Sequence, residues 1–395
     1  MSGAVDSEPA VDVSEGIAAR ALSSQDKPHA ENSQKGTGTI ESVYEWIDER
    51  LGLGEVIALA RHKRIPVHSQ SFWYYWGGIS LFLFVIQIFT GILLLVYYRP
   101  GAEAFESVRQ ITYVMHFGWL IRSAHSWCAN LFMFSILVHM FSVYFMKAYR
   151  KPREVGWLTG IALLFFAAMF GFSGYLLPMD ELSYYATKVG LQIPASIPFM
   201  GAFTTTILRG GPEVSDFTVQ RFFALHVVIL PLLFIPLLGL HLFLVQKHGN
   251  AVPPSEEAKP LAARKSIPFF PNFFQKDLAM WLISLNVLAL LASIFPWDLG
   301  RQADSLVPAP AGIHPEWYFM APFHMLKILG NWLPGATGEV VGILLFTTGL
   351  AIWVVIPFYD GENKTGTRGR NAHYFGLFAV AALIITTALG YWGIR

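Results

Sequence analysis

The chain has 395 residues, of which 54% are hydrophobic and 14% charged, whereas ordinary soluble domains are about 45–50% apolar and about 25% charged, so a soluble enzyme is excluded as the starting expectation. Lys and Arg total 28 and Asp and Glu 27, so no net basic field points to nucleic acid. The single cysteine, Cys128, leaves no intrachain disulfide framework and no cysteine-only metal site within one chain.

Residues 1–40 are rich in Ser, Ala, Glu, Gly and Gln without apolar periodicity and lack the basic start and apolar core of a signal peptide; they read as a disordered tail. From Glu41 to Ala60 the helical spacing of Val43, Trp46, Ile47 and Leu51, mixed with acids, predicts an amphipathic helix lying at a surface, too polar to span. Seven apolar segments follow at about 72–98, 119–146, 157–178, 221–245, 278–295, 340–358 and 374–393, each read as a membrane span of about 20 residues. The fifth is the shortest, and Pro296 closes it. The expected fold is an all-α integral membrane protein with seven transmembrane helices, a four-helix part over 41–250 and a three-helix part over 251–395.

The flanking loops carry an orientation signal. Arg50, Arg61, Lys63 and Arg64 precede the first span; Lys147, Arg150, Lys151 and Arg153 follow the second; Lys247, Lys259, Arg264, Lys265 and Lys276 follow the fourth; Lys364, Arg368 and Arg370 follow the sixth. The alternate loops hold only Arg99, Arg109, Lys188, Arg209, Arg301 and Lys327. With seven spans this asymmetry puts the amino terminus inside.

Histidine is the unusual resource of so apolar a chain. The second span contains His125 and His139, fourteen positions apart, and the fourth contains His226 and His241, fifteen apart. At about 100° per residue each pair returns to within about 40° or 60° of one helix face, about 21 or 22 Å along it. His125 is then level with His226, and His139 with His241. Two facing imidazoles are what a low-spin haem iron needs as axial ligands, so the pattern predicts one haem near the outer face and one near the inner. A lone intramembrane histidine is as well explained by a bond to a neighbouring carbonyl; four at matched depths are not.

The first and third spans carry Gly77 and Gly91, and Gly160 and Gly174, again fourteen apart. Backbone without side chains lets a flat macrocycle approach, although glycine is also common in membrane helices for packing, and Gly78 beside Gly77 leaves the choice there open. Arg122 and Arg221 stand near the outer ends of their spans, where they pair with haem propionates or simply snorkel to the interface. No Cys-x-x-Cys-His occurs, so there is no signature of a c-type haem.

Four stretches carry a family resemblance: Phe117 to His125 (FGWLIRSAH), Lys151 to Glu154 (KPRE), Gly171 to Pro178 (GFSGYLLP) and Pro315 to Tyr318 (PEWY). Together they resemble the cytochrome b subunit of bc and b/f complexes, over about residues 41–395. The fifteen-step spacing in the fourth span resembles the b/f type, with its separate subunit IV fused here through the Pro- and charge-rich segment 250–276. The resemblance implies a quinol:cytochrome c or plastocyanin-type oxidoreductase with two non-covalent b haems, coordinated by His125/His226 and His139/His241. It further implies a quinol-oxidising site at the outer face around Pro315, Glu316, Trp317 and Tyr318, with Glu316 as proton acceptor, Tyr318 as hydrogen-bond donor and Pro315 stiffening the approach. One electron passes to a Rieske iron–sulfur protein and a c-type cytochrome. The other crosses through the two haems to quinone at the inner face.

A homodimer and a bacterial cytoplasmic membrane with a cytoplasmic amino terminus are implied in the same way. His314 extends the proton path or is an interface residue; Lys247 and His248 attract a quinone or propionate or are an ordinary positive-inside cluster. The resemblance breaks at Tyr75, where b/f proteins tether a third haem through cysteine, so that haem is doubtful; Cys128 reads as a small core residue. It breaks again at Met179, where tryptophan is usual. Two alternatives remain: a dihaem membrane anchor, which would share the histidine pairs but would not need the last three spans or Glu316, and a haem-free transporter, which would explain seven spans but not two matched histidine pairs.

Overall fold

The computed structural model describes residues 39–52, 54, 58, 61–195, 201–310, 312–334, 337–361 and 366–393. The expected tail over 1–40 lies outside them except for its last two residues. The chain divides into two compact units, Met1–Ala58 and Leu59–Arg395. In the first, helix α1 (Thr39–Leu51) is shorter than the amphipathic helix expected over 41–60. Gly52 ends it, taking the left-handed conformation (φ 62°) and returning its N–H to the carbonyl of Asp48, the stop that glycine makes cheaply. Val43 and Trp46 are exposed on its surface, and the Arg50 guanidinium sits 4.3 Å over the Trp46 ring.

The second unit begins with a two-stranded antiparallel ribbon, β1 (Arg64–Val67) against β2 (Lys265–Pro268), with Arg64 opposite Pro268. Its helices are α2 (Tyr75–Leu95), α3 (Ala104–Tyr113), α4 (Gly118–Phe145), α5 (Glu154–Tyr175), α6 (Glu181–Gly190), α7 (Gly201–Arg209) and α8 (Asp216–Ala224). A π turn (Leu225–Ile229) joins α8 to α9 (Leu230–His248); α10 (Phe274–Ile294), α11 (Trp317–Trp332), α12 (Thr337–Asp360) and α13 (Thr367–Gly393) follow. Seven helices among the described residues are long and apolar enough to cross a membrane: α2, α4, α5, the continuous α8–α9, α10, α12 and α13. All seven expected segments are among them. The protein is an integral membrane protein. Its outward faces carry exposed Phe89, Leu232, Phe243, Leu290 and Phe378, the composition lipid requires.

The spans are held together from inside by three clusters. Ile79, Leu83, Phe84, Cys128, Phe132 and Phe234 make the first, between α2, α4 and α9. Cys128 is wholly buried there, its thiol donating to the Leu83 carbonyl at 3.2 Å, the core role expected of it. Leu176, Tyr184, Leu191, Val219 and Phe222 fill the second, beneath α6 and α8. In the third, Tyr144 stacks on Trp353 with ring centroids 4.4 Å apart.

Next to that third cluster, Asp360 at the end of α12 is buried and accepts from Arg150 Nη2 at 3.0 Å, Arg150 Nε at 3.1 Å and the Tyr149 hydroxyl at 2.6 Å, with Lys147 Nζ at 3.3 Å. This clasp ties the end of α4 to the carboxyl-terminal helices. At the other end of α4, Arg122 donates to the carbonyls of Trp297 and Asp298, Ser123 Oγ donates to Ala292 O at 3.0 Å and Trp127 Nε1 to Phe295 O at 2.8 Å. The Ala292 and Phe295 carbonyls belong to the end of α10 and the other two to the loop that follows it; α10 stops two residues before Pro296 because proline would clash with its last turn.

Candidate functional site

The four histidines come to rest on the four glycines. A Cβ added to Gly91 would meet His125 Cε1 at 3.3 Å, and one on Gly77 would meet His139 Cε1 at 3.0 Å. On the other side, Gly174 stands 2.7 Å from His226 Cε1 and Gly160 3.4 Å from His241 Cε1 by the same construction. The glycines thus make room for the imidazole edges. The ambiguity in α2 is resolved: Gly78 faces the carboxylate of Asp277, and Gly77 faces His139. His125 lies within electrostatic range of His226, and His139 within range of His241.

Three of the rings have a hydroxyl at Nδ1. Thr90 Oγ1 lies 2.9 Å from His125 Nδ1, Thr159 Oγ1 2.9 Å from His241 Nδ1, and Ser173 Oγ 3.0 Å from His226 Nδ1. Nε2 of each is then the nitrogen left for a metal. Imidazole pairs seated against glycines of the facing helices fit two bis-histidine haems.

Glu316 is the N-cap of α11 (φ −53°, ψ 150°) and is partly buried. Burial raises its carboxyl above the ordinary range, and the nearby His314 pulls it partly back. Tyr318, two residues on, has its phenol raised by burial and by Glu316. Its hydroxyl lies 2.5 Å from where a Gly171 Cβ would be, so Gly171 of α5 leaves the space the tyrosine occupies. Trp317 Nε1 donates to Asn130 Oδ1 at 2.8 Å, anchoring the motif on α4 five residues beyond His125. The Pro315 carbonyl lies 3.1 Å from His314 Nδ1, and the His314 ring meets Tyr391 edge to face at 5.0 Å.

The remaining expected residues are placed as follows. Arg122 is buried and its guanidinium is occupied by the two loop carbonyls, whereas Arg221 is exposed, donating to Thr206 O at 3.3 Å. Lys247 is exposed; the His248 carbonyl accepts from Arg153 at 2.9 Å. Tyr75 stacks on Phe273 with centroids 4.9 Å apart. Met179 takes a left-handed conformation (φ 53°), and its carbonyl accepts from Ala303 N at 3.3 Å.

Sequence reasoning passed over the hydroxyls at Thr90, Thr159 and Ser173, each one residue before a site glycine, and over Asn130, Gly171 and Asp277. Asp277 carried a signal, an acid in a span, but the fifth segment was started one residue after it. Asp277 Oδ1, Trp76 Nε1 and Trp281 Nε1 are buried without hydrogen-bond partners, and the Asp277 carboxylate lies against Gly78, the glycine next to Gly77.

Comparison with known proteins gives the family. Residues 130–301 match the family described as "Cytochrome b(N-terminal)/b6/petB" and residues 302–395 the one described as "Cytochrome b(C-terminal)/b6/petD". The chain belongs to the cytochrome b family of bc- and b6f-type electron-transport complexes, with the b6-like and subunit IV-like parts fused in one polypeptide. It is 45% identical over 349 residues to a cytochrome bc complex cytochrome b subunit of Chlorobaculum thiosulfatiphilum, covering 88% of this chain and 80% of that one. It is 40% identical over 215 residues to cytochrome b6 of Synechococcus sp. (strain JA-3-3Ab), covering 54% of this chain and all of that one. Among solved structures, a chain of a hyperthermophilic respiratory Complex III superposes with a TM-score of 0.76 at 31% identity, over 88% of this chain and 90% of that one. The transporter and membrane-anchor alternatives are set aside by this membership.

Proposed function

We propose that the chain is the catalytic b subunit of a quinol-oxidising complex of the bc type. The observation that carries the reading is the seating of four histidines, at two levels, against four glycines of the neighbouring helices. His125 and His226 hold one b-type haem toward the outer face, and His139 and His241 the other toward the inner. Bound there, the two groups supply one-electron transfer between the faces of the membrane, so that one electron of each quinol crosses while the other leaves to a Rieske iron–sulfur partner and on to a c-type cytochrome. The chain's own cysteine is committed to the core, which sends the cluster to another subunit.

Quinol binds at the outer face against the start of α11. Tyr318, partly buried and protonated, donates to a quinone oxygen, and Glu316 takes the hydroxyl proton, its raised carboxyl suited to accept and release protons nearer neutrality. Pro315 and the Trp317–Asn130 bond hold the motif in place. His314 extends the path outward. Of the two arginines, Arg221 is the better placed for a propionate, since Arg122 is already engaged.

Quinone is reduced at the inner face near His139 and His241, where the unpartnered Asp277 carboxylate and the Trp76 and Trp281 indole N–H groups offer an acceptor and two donors. Lys247 and His248 play the lesser part there. Releasing protons outside and taking them up inside translocates charge. The loop asymmetry supports an amino terminus on the cytoplasmic side of a bacterial membrane, and in this reading the complex assembles around a homodimer of the subunit.

The test uses the purified complex carrying Glu316→Gln. Quinol-to-cytochrome turnover is expected to fall about 10²-fold or more, as loss of a general base does, with both b-type α-bands retained in the reduced-minus-oxidised spectrum. Unchanged turnover removes Glu316 from the mechanism, and a wild-type spectrum without a b-type band removes the haems.

A further inference from the structure

The hydroxyls against the histidine rings share a position that membrane packing does not demand. Serine and threonine in apolar helices ordinarily return their proton to a carbonyl three or four residues back, and these do: Thr90 to Ile86 O at 2.8 Å, Thr159 to Gly156 O at 2.9 Å and Ser173 to Phe170 O at 3.2 Å. Each stands immediately before a glycine that seats an imidazole, and each oxygen also meets that imidazole's Nδ1. A hydroxyl has one proton. With it committed to the helix, the oxygen can only accept from the ring, so Nδ1 carries the hydrogen and Nε2 the lone pair.

We infer that Ser173, Thr159 and Thr90 are positioning residues for the axial imidazoles, fixing the tautomer and orientation of His226, His241 and His125 and lowering the midpoint potentials of the haems they hold. The inference rests on the two-haem reading. An acceptor at Nδ1–H makes Nε2 more basic, which stabilises the ferric over the ferrous state. The arrangement is uneven. Among the described residues His139 has no such hydroxyl, because Trp76 stands before Gly77 where the other three sites have Thr or Ser. The pair His125/His226 is therefore supported by two hydroxyls, and His139/His241 by one. Turned with its nitrogen toward the His125 carbonyl, the Gln87 amide can only donate and takes no share in accepting the Nδ1 hydrogen, whereas at His226 and His241 the Phe170 and Gly156 carbonyls share that role with the hydroxyls.

Redox titration of the α-bands in the intact complex tests this with Ser173→Ala, Thr90→Val and Thr159→Val. Ser173→Ala and Thr90→Val are expected to move the midpoint of one and the same haem to more positive potential, and Thr159→Val to move the other haem. Thr159→Ser, which keeps the acceptor, is expected to hold the wild-type potential. If Thr159→Val drops its haem while Thr159→Ser keeps both haem and potential, the proposal is supported; loss of the haem in both overturns it. Normal haem content with unshifted potentials, or Ser173→Ala and Thr90→Val acting on different haems, also overturns it while leaving the two-haem reading intact. A wild-type complex without b-type bands fails both.

Discussion

Leu230 donates its backbone N–H to the carbonyl of Leu225, five residues back rather than four, and His226 lies inside the turn this closes. A π turn of this kind absorbs about one extra residue within an α-helix. Fifteen steps from His226 to His241 therefore amount to about fourteen of regular helix, and the pair in α9 presents its rings as His125 and His139 do in α4. Pro231 gives the turn a cause. It has no N–H to return to Val227, and its ring would clash with that carbonyl in a regular helix.

Deleting one residue of the turn is the direct check. Removal of Val228 together with Pro231→Ala is expected to give an uninterrupted α-helix with fourteen-step spacing that still binds both haems. Removal of Leu238, which leaves the turn in place and rotates His241 by about 100° relative to His226, is expected to lose one haem. Quantifying haem per chain by difference spectroscopy decides it: equal loss in both deletions disposes of the compensating role of the turn.

The glycines should differ in tolerance according to their distances. A Cβ at Gly174 stands 2.7 Å from His226 Cε1 and at Gly77 3.0 Å from His139 Cε1, while Gly91 and Gly160 have 3.3 and 3.4 Å. Gly174→Ala and Gly77→Ala are expected to displace their rings and deplete one haem each, whereas Gly91→Ala and Gly160→Ala retain near wild-type haem content with broadened or shifted bands. Depletion in the reverse order contradicts the geometry.

What the sequence could and could not show follows from the range of the interactions. The seven spans rest on local composition, and the histidine pairs on periodicity within one helix, so both were legible. The β1–β2 ribbon was not, because its four-residue strands contain Pro66 and Pro268 and pair across about two hundred positions. The anchoring of Trp317 by Asn130 and the space left by Gly171 for Tyr318 join different helices, and no single-helix pattern announces them. Gly77 and Gly78 were indistinguishable until Asp277 was seen to occupy the second. The π turn left a trace, the odd fifteen-residue spacing, whose meaning needed the backbone.

The acid limb of quinol oxidation should report Glu316. The base must be ionised to accept a proton, so kcat/KM falls as pH drops through its pKa, and burial places that fall at a higher pH than for an exposed carboxylate. His314 opposes the shift. Replacing it by Ala removes the favourable charge, raises the Glu316 pKa further and moves the limb to still higher pH. A limb that stays in place in His314→Ala, measured as kcat/KM against pH in the intact complex, excludes this coupling.

Asp360 is expected to matter for stability rather than turnover. Its side chain is wholly buried, against Lys147 and Arg150 at 9% and 12% exposure, and it is the only carboxylate with which those two cations pair among the described residues. Asp360→Asn leaves both charges buried and uncompensated, a situation that costs about 3–5 kcal/mol, more than the modest worth of any exposed pair. Because the clasp joins the end of α4 to α12, the loss should appear as a lower unfolding temperature of the detergent-solubilised complex, with the carboxyl-terminal helices released first to limited proteolysis. Arg109→Ala, which breaks the exposed Glu106–Arg109 pair on α3, serves as the control and should leave the unfolding temperature unchanged. Equal melting of Asp360→Asn and wild type would mean that water reaches the cluster and that the carboxyl-terminal helices are held by their apolar contacts alone.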